Sequence, residues 1–276
     1  MLQQGELTPW RGLTQHSSSS ESAKSSMNIL ITFAVEAEFA PWQKRRKFQR
    51  MPGDWPRYEA KFGNARICAI LTGMGQTHAL TAARRALPHR PDICISTGLA
   101  GALRSGYKPG DILAARLVSE VGEPVAVASH PELLSSAVGC GARFVERFAT
   151  SRTLVSRAAK KTHLGNQAEA VEMESYTILA EAARNGVPAV AVRAISDKVD
   201  FDMPYDFESA RDEHGQIRIG NIIGQVFRHP SGLPALLTLA RDCRMAAESL
   251  ADFLDTYTGT LGDRLIPVES DMAVAL

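Results

Sequence analysis

The sequence predicts an α/β fold of three layers, in which helices cover both faces of a central, mixed and mainly parallel β-sheet. Short apolar runs of strand length recur along the chain, and segments of helical character alternate with them. The chain has 276 residues, 45% of them apolar, which is enough for one domain of this kind with a sizeable core. We therefore expect a single α/β domain with extensions at its ends.

The first half of the chain contains most of the predicted strands. Residues 28–34 (NILITFA) form an apolar run typical of a buried strand, and polar residues of helical character follow it. Residues 58–62 and 66–71 predict a hairpin with a Gly-Asn turn, and 77–87 an Ala-rich helix that ends at a proline. The glycines of 98–101 (GLAG) predict a turn. Further strands are predicted at 92–97, 112–118, 125–129 and 144–150, with a short helix at 131–138.

The second half predicts fewer strands and more helix. Residues 151–167 are basic and irregular, which indicates a loop or a mobile flap. A short strand at 170–173, a helix at 175–185 and a long apolar strand at 187–195 are predicted next. After a loop, C-terminal helices are predicted at about 220–227 and 234–256.

The ends of the chain differ in composition from its centre. Residues 1–26 are rich in Ser and other polar residues without a sustained period, which predicts a flexible tail, and Met27 is a candidate start. Residues 27–256 would form the single domain, and 257–276 a loose C-terminal tail.

Charge and hydropathy exclude two classes of partner. The formal net charge is +1, so the chain lacks the one-signed field expected of a nucleic-acid binder. No apolar run approaches the roughly 20 residues that span a bilayer, and no basic segment followed by an apolar stretch opens the chain. We expect a cytoplasmic protein whose partner is a small molecule or another copy of itself.

The usual motifs of metal, nucleotide and serine-hydrolase chemistry are missing from the sequence. The four cysteines are far apart, which is typical of free, mostly buried thiols in a reducing compartment. His78 and His163 have no partner at metal-ligand spacing. The glycines of 73–75 (GMG) lack the third glycine of a dinucleotide fingerprint, and neither G-x-x-x-x-G-K-[ST] nor G-x-S-x-G occurs. We expect no metal and no redox cofactor.

Acidic residues stand just after several predicted strands. Ligands of open α/β sheets bind beyond the carboxyl ends of the strands, where Glu36, Glu38, Glu174 and Asp197 would lie. Each has a simpler interpretation as well. Glu174 could interact with a helix N-terminus, Asp197 could be an ordinary turn or cap residue, and Glu36 and Glu38 could be solvated helix charges.

Three strings make the chain similar to a known family. ILTGMGQTHA (70–79), ISTGLAGALRSGYKPGDI (95–112) and VEMESYTILAEAARNGVPAVAVRAISDKVD (171–200) resemble signature segments of the purine nucleoside phosphorylase and methylthioadenosine/S-adenosylhomocysteine nucleosidase superfamily, in the family's order. AVEAE (34–38) resembles its first loop. The resemblance implies a nucleoside phosphorylase-like fold and an enzyme that cleaves the bond between a purine and a ribose.

The resemblance also implies roles for individual residues. Glu174 matches the carboxylate that accepts hydrogen bonds from the ribose hydroxyls, and Met173 the side chain that lies against the sugar. Asp197 matches the acid that serves N7 of the departing purine, and Glu38 the residue that deprotonates the attacking water. The other expected substrate contacts are Gly73, Thr97, Gly98, Leu99 and Ser196, with Leu154 and Val155 in the loop that faces the adenine. No cofactor is implied, although phosphate could be a co-substrate, and a homo-oligomer (dimer, trimer or hexamer) is expected.

Two differences from the family's pattern, and the C-terminal stretch, bear on the identity of the substrate. Leu99 stands where the nucleosidases usually carry Ser, and no Arg that could grip phosphate lies near Ser96 in the sequence. Residues 212–250 resemble the tail of the hopanoid-associated phosphorylases, which implies adenosylhopane as substrate, unless they are a generic Leu/Ala-rich helical extension. Two alternatives stay open: a methylthioadenosine/S-adenosylhomocysteine nucleosidase of methionine salvage, and a nucleoside-binding protein without catalysis.

Overall fold

The apolar runs of the sequence form the strands of one mixed sheet in the computed structural model of the chain, which describes residues 26–207, 209, 225, 226 and 228–263. The strands are β1 Met27–Phe33, β2 Gln49–Arg50, β3 Arg57–Phe62, β4 Ala65–Leu71, β5 Ile93–Ser96, β6 Leu99–Ala102, β7 Ile112–Glu120, β8 Ala126–Ala128, β9 Arg143–Thr150, β10 Ala170–Glu172 and β11 Ala189–Asp197. The helices are α1 Glu36–Arg46, α2 Gln76–Ala86, α3 Pro131–Gly139, α4 Ala158–Leu164, α5 Ser175–Arg184 and α6 Leu233–Asp263, with 3₁₀ turns at Leu87–His89 and Pro230–Gly232.

The sheet is open at one end and closed on itself at the other. Its strand order is β2-β3-β4-β1-β5-β11-β6-β10-β9-β7-β8, and β11 also pairs with β7. Parallel pairings join β4, β1, β5, β11 and β6 through the centre. Because parallel neighbours bring their carboxyl ends to the same edge, the residues that follow β1, β5 and β11 meet there.

Helices cover both faces of the sheet, as predicted. One apolar cluster joins the sheet to α1, α3 and α6 through side chains such as Trp42, Leu133 and Leu250. A second cluster joins the other face to α2 and α5 through Ala83 and Ile178. The three-layer α/β prediction is confirmed.

The strands of the first half lie close to their predicted positions. β3 and β4 pair antiparallel from Arg57 opposite Ile70 to Phe62 opposite Ala65, which confirms the predicted hairpin. The predicted turn at 98–101 is wrong, because Leu99–Ala102 forms β6 between β11 and β10. Its small residues permit close pairing on both sides, so glycines that resemble a turn in the sequence form an inner strand.

Residues 151–167 are not the irregular loop that their basic composition predicts. They include α4, whose buried residues are Lys161 and Leu164. Because a lysine stands at 161 on the inner face of this short helix, the sequence shows no apolar helical period here, although that face packs inward.

The C-terminal helix is longer than the sequence predicts. α6 has 31 residues and continues to Asp263, burying Tyr257 and Leu261, so the predicted boundary at 256 is wrong. Its polar contacts with α1 include Asp255, which accepts hydrogen bonds from Trp42 at 2.6 Å and from Arg46 at 2.7 Å. The predicted tail at 1–26 lies almost entirely outside the described residues, and so do the predicted helix at 220–227 and the segment after Asp263.

The cysteines are free, but only one of them is fully buried. Cys94 lies in the core, whereas Cys68, Cys140 and Cys243 are partly exposed, so the expectation of mostly buried thiols is corrected. In the described part of the chain, no helix is both long and apolar enough to cross a membrane.

Candidate functional site

A cavity of about 300 Å³ opens at the carboxyl ends of β1, β5, β10 and β11. The predicted residues Glu38, Met173, Glu174 and Asp197 line it. The predicted contacts Leu99, Leu154, Val155 and Ser196 line it as well. Residues from distant parts of the sequence therefore meet at one site, as the positions of the strand ends predict.

Glu38 is buried at the start of α1, and the backbone holds its carboxylate in place. Its Oε2 accepts hydrogen bonds from the backbone N–H of Ala34 at 2.8 Å and of Val35 at 3.3 Å. Its Oε1 accepts one from Leu99 N at 2.9 Å. Burial raises the pKa of Glu38 from its usual range, and the hydrogen bond from Leu99 opposes part of that rise. Raising the pKa makes this carboxylate a stronger base than an exposed one.

Gly98 supports Glu38 without lining the cavity. Its φ of +140° is strained for other residues, and a Cβ there would lie 2.9 Å from both oxygens of the Glu38 carboxylate. A glycine is therefore required for the carboxylate to lie over the β5–β6 connection.

Glu174 follows β10 and faces the same cavity. Its Oε1 accepts a hydrogen bond from Gly75 N at 2.7 Å, and its Oε2 one from Met173 N at 3.3 Å. Burial and, to a smaller extent, the nearby Glu172 carboxylate raise the pKa of Glu174 to about 8, although Arg193 opposes the rise. The protein surroundings thus favour a neutral carboxyl group at this position near pH 7.

Glu172, rather than Glu174, caps helix α5. Its Oε2 accepts hydrogen bonds from the backbone N–H of Glu174 at 2.9 Å and of Ser175 at 2.7 Å, and from the guanidinium of Arg193 at 2.7 Å. The interpretation of Glu174 as a helix-capping residue is therefore wrong, because no side-chain hydrogen bond of its own caps the helix. Its carboxyl group is left facing the cavity.

Asp197 is the last residue of β11 and is 4% exposed. Its Oδ1 accepts a hydrogen bond from the Ser196 hydroxyl at 2.6 Å, and its Oδ2 forms an ion pair with Lys161 Nζ. A Cβ at Gly101 would lie 3.1 Å from Oδ2, so the neighbouring strand leaves little room beside the carboxylate. Asp197 is thus fixed by charge and packing and does not act as a turn residue.

Lys161 is a site residue that the sequence analysis missed. It is fully buried in α4 and donates hydrogen bonds to the carbonyls of Lys198 and Phe201, each at 3.0 Å, besides its ion pair with Asp197. The one signal in the sequence is its spacing of three residues from the apolar Leu164, which places both on one helix face.

The residues of an apolar wall of the cavity were not predicted individually from the sequence. Leu239 and Cys243 of α6 line the cavity, together with Met203 and Phe207 of the segment after β11. Burial, together with the nearby charges of Asp197 and Glu38, raises the pKa of the Cys243 thiol to about 12. The thiol therefore stays neutral. Through Leu239 and Cys243, α6 contributes to the wall of the same cavity as Asp197 and Glu38.

Three predicted or candidate residues lie away from the cavity. Thr97 is buried beneath it, and its hydroxyl has no hydrogen-bond partner among the described residues. Gly73 donates its N–H to Ala34 O at 2.9 Å and, like the exposed Glu36, lines a separate open groove. Only Glu38 of the two acidic residues in the first turn of α1 faces the cavity.

Comparison with known proteins decides the family. The sequence matches the Phosphorylase superfamily over residues 28–227. The chain belongs to that superfamily. The matched segment contains all the strands of the sheet, except for Met27 at the start of β1, and every carboxylate of the cavity.

Solved structures share the fold of this superfamily member. The 5′-methylthioadenosine/S-adenosyl homocysteine nucleosidase of Campylobacter jejuni is 18% identical with a TM-score of 0.66, covering 85% of this chain and 100% of its own. Futalosine hydrolase of Helicobacter pylori is 18% identical with a TM-score of 0.65, covering 85% and 99%. The S-adenosylhomocysteine nucleosidase from Streptococcus pyogenes is 21% identical with a TM-score of 0.67, covering 87% and 99%. At these identities the likeness shows a common fold.

Two further points follow for this phosphorylase-superfamily chain. Among the described residues, no group of three or more His, Cys, Asp or Glu side chains could hold a metal ion. The resemblance of residues 212–250 to the hopanoid-associated branch stays a prediction.

Proposed function

We propose that the chain cleaves the N-glycosidic bond of an adenosine-type purine nucleoside, by attack of water or phosphate at C1′ of the ribose. The observation that carries this proposal is that Glu38, Glu174 and Asp197 line one small cavity. Each carboxyl group has different partners, so the three groups can perform different tasks. Breaking a glycosidic bond builds positive charge on the ribose and negative charge on the base, and the site has an acidic group for each.

Glu174 and Met173 form the proposed ribose end of the cavity. The ribose hydroxyls would donate hydrogen bonds to the Glu174 carboxylate, which favours its ionised form and so opposes the effect of burial on its pKa. An ionised Glu174 also stabilises the positive charge that develops on the sugar in the transition state. Substrate binding would thus create the charge that catalysis needs.

Asp197 forms the proposed base end. Ser196 and Lys161 hold its carboxylate at the end of β11, where it can serve N7 of the departing purine. Leu154 and Val155 lie in the cavity wall and would contact the adenine ring. Acid assistance of this kind typically contributes about 10²–10⁴-fold to the rate.

Glu38 would orient and deprotonate an attacking water molecule. Three backbone N–H groups fix its carboxylate, and its raised pKa makes it a stronger proton acceptor than an exposed carboxylate. The guanidinium of Arg193 contacts Ser96 at 3.2 Å but is buried and bound to Glu172. Because this arginine is already occupied, the site favours water over phosphate as the nucleophile.

The apolar wall bears on the 5′ substituent of the nucleoside. Leu99, Phe207 and Leu239 give the cavity apolar surface that would suit a bulky hydrocarbon on the ribose. Together with the C-terminal resemblance, this supports adenosylhopane as the substrate. The solved nucleosidases of similar fold support the alternative, a methylthioadenosine/S-adenosylhomocysteine nucleosidase. The cytoplasmic location and the homo-oligomer stay predictions.

A substrate panel tests the proposal. The purified chain is incubated with methylthioadenosine, adenosylhomocysteine, inosine and adenosylhopane, with and without phosphate, and the released base is quantified by chromatography. We expect base release without phosphate, fastest from adenosylhopane. Fastest release from methylthioadenosine would favour the alternative, whereas ribose 1-phosphate among the products would identify phosphate as the nucleophile. If no compound releases a base, the chain is a binding protein and the enzymatic proposal is wrong.

A further inference from the structure

Lys161 makes an unusual set of contacts for a buried lysine. It has no exposed surface, and its Nζ lies against three oxygens: Oδ2 of Asp197 and the carbonyls of Lys198 and Phe201. A lysine ammonium has three N–H donors, so each proton meets one acceptor. All three donors of the Lys161 ammonium are therefore used, one of them in the ion pair with the Asp197 carboxylate.

The ion pair with Lys161 creates a difficulty for acid catalysis by Asp197. A carboxylate can accept hydrogen bonds but has no proton of its own to give to the leaving purine. The hydroxyl of Ser196 already points at its Oδ1, at 2.6 Å. The other proton donor that the described residues hold against Asp197 is the ammonium of Lys161, at Oδ2.

We propose that Lys161 is a positioning residue that supplies, through Asp197, the proton received by the leaving base. The proposal rests on the nucleoside cleavage proposed above. As the C1′–N9 bond breaks, its electron pair goes to the purine. One proton moves from Lys161 Nζ to Asp197 Oδ2, and from Oδ2 to N7 of the base.

The remaining contacts support this transfer and balance it. After losing a proton, the Lys161 amine keeps two N–H donors for the carbonyls of Lys198 and Phe201. Water supplies the oxygen that bonds to C1′, and its proton goes to Glu38 and then to solvent. Lys161 regains a proton from solvent when the products leave, so the cycle consumes only nucleoside and water.

The test compares two substrates that differ in their need for a proton. Adenosine requires protonation of its base, whereas p-nitrophenyl β-D-ribofuranoside releases a stable anion and does not. Both have the same unsubstituted ribose, so the 5′ end of the cavity contributes equally. The variants are Lys161→Met and Lys161→Gln, the second of which keeps donors for the two carbonyls. The matched control is Lys160→Met, since Lys160 is exposed on the same helix.

We expect both Lys161 variants to lose about 100-fold or more in kcat on adenosine, within the range of acid catalysis, and less than about threefold on the aryl riboside. Lys160→Met should match the wild type on both. Because the two rates are measured on one sample, their ratio is independent of any loss of folded protein. Equal losses on both substrates, or no loss on adenosine, would overturn the proposal. Failure of the wild type to cleave any nucleoside would instead count against the proposed function.

Discussion

The proposed base end and the proposed ribose end of the cavity hold their buried carboxyl groups in opposite ways. Asp197 faces the ammonium of Lys161, an ion pair within the folded protein. Glu174 accepts two hydrogen bonds from the backbone of the described residues, and the guanidinium of Arg193, whose charge acts on it, is bound to Glu172. The charge of Asp197 is therefore compensated within the protein, whereas under the proposed function Glu174 depends on the ribose hydroxyls to favour its charge.

This contrast makes Asp197→Asn the variant with the largest expected effect. The amide cannot take part in proton transfer, so we expect kcat to fall by at least about 100-fold, while ligand binding stays largely intact. It also leaves the buried Lys161 without its anion, which should lower the free energy of unfolding by roughly 3–5 kcal/mol. Base release and urea unfolding measure the two effects.

Asp200→Asn is the matched control for that variant. Asp200 lies exposed three residues further along the same segment, so both rate and stability should stay near those of the wild type. An unchanged rate in Asp197→Asn would refute the role assigned to Asp197. An unchanged stability would show that the ion pair with Lys161 contributes nothing to the fold.

The same contrast shows how far the sequence could predict the site. Glu174 and Asp197 directly follow apolar runs, so the rule that ligands bind beyond strand ends locates them, and the family resemblance adds their roles. Lys161 stands beside Lys160 in a basic segment, and only packing distinguishes the buried lysine from the exposed one. Cys243 is distant from the other site residues in the sequence, and no local pattern indicates that α6 covers the cavity.

The fold was predicted more completely than the site, and its misplaced elements have a common cause. Leu99–Ala102 is a strand because it lies between two partners, and the last turns of α6 are helical because Tyr257 and Leu261 pack inward. Such tertiary contacts override local preferences, which for GLAG favour a turn. Local patterns therefore predict strands with apolar runs better than they predict small-residue strands or helix ends.

The second prediction concerns the ribose end and its dependence on pH. The pKa of Glu174 is raised to about 8. A ligand that binds to the ionised form of Glu174 must therefore displace a proton from it at any pH below about 8. We expect the affinity for adenosine to fall about tenfold per pH unit below 8, and to level off above it. Calorimetric titration of the Asp197→Asn variant, which turns over slowly, measures this affinity.

The variant Glu174→Gln should remove the pH dependence of adenosine affinity. Unlike Asp197→Asn, it should also be more stable relative to the wild type as the pH rises. When the pKa of a carboxyl group is higher in the folded than in the unfolded state, the free energy of unfolding of the protein falls as the pH rises between the two values, here from 4.5 to about 8. The wild type should therefore lose stability relative to Glu174→Gln across this interval. If the adenosine affinity of the Asp197→Asn variant, which keeps Glu174, is independent of pH, then binding does not require Glu174 to lose a proton and the proposed contrast between the two ends of the cavity is wrong.

The smallest expected effect comes from Leu99, between the two ends. Its backbone N–H holds Glu38, and its side chain contributes apolar surface to the cavity. Leu99→Ser keeps the backbone donor but removes apolar contact worth about 1 kcal/mol, so kcat/KM for adenosylhopane should fall roughly fivefold. The value for adenosine, which lacks the hydrocarbon, should change less than twofold.

Leu237→Ser is the control for this comparison, because Leu237 is 62% exposed on α6 and lies outside the cavity. A selective loss on adenosylhopane in Leu99→Ser alone would place the hydrocarbon against Leu99. Equal changes on both substrates would mean that Leu99 acts through Glu38, which its N–H positions, and that the 5′ substituent lies elsewhere. Since the proposed role of Glu38 toward the nucleophile is the same whichever base leaves, the second result would make Leu99 part of the catalytic support and leave specificity to Phe207 and Leu239.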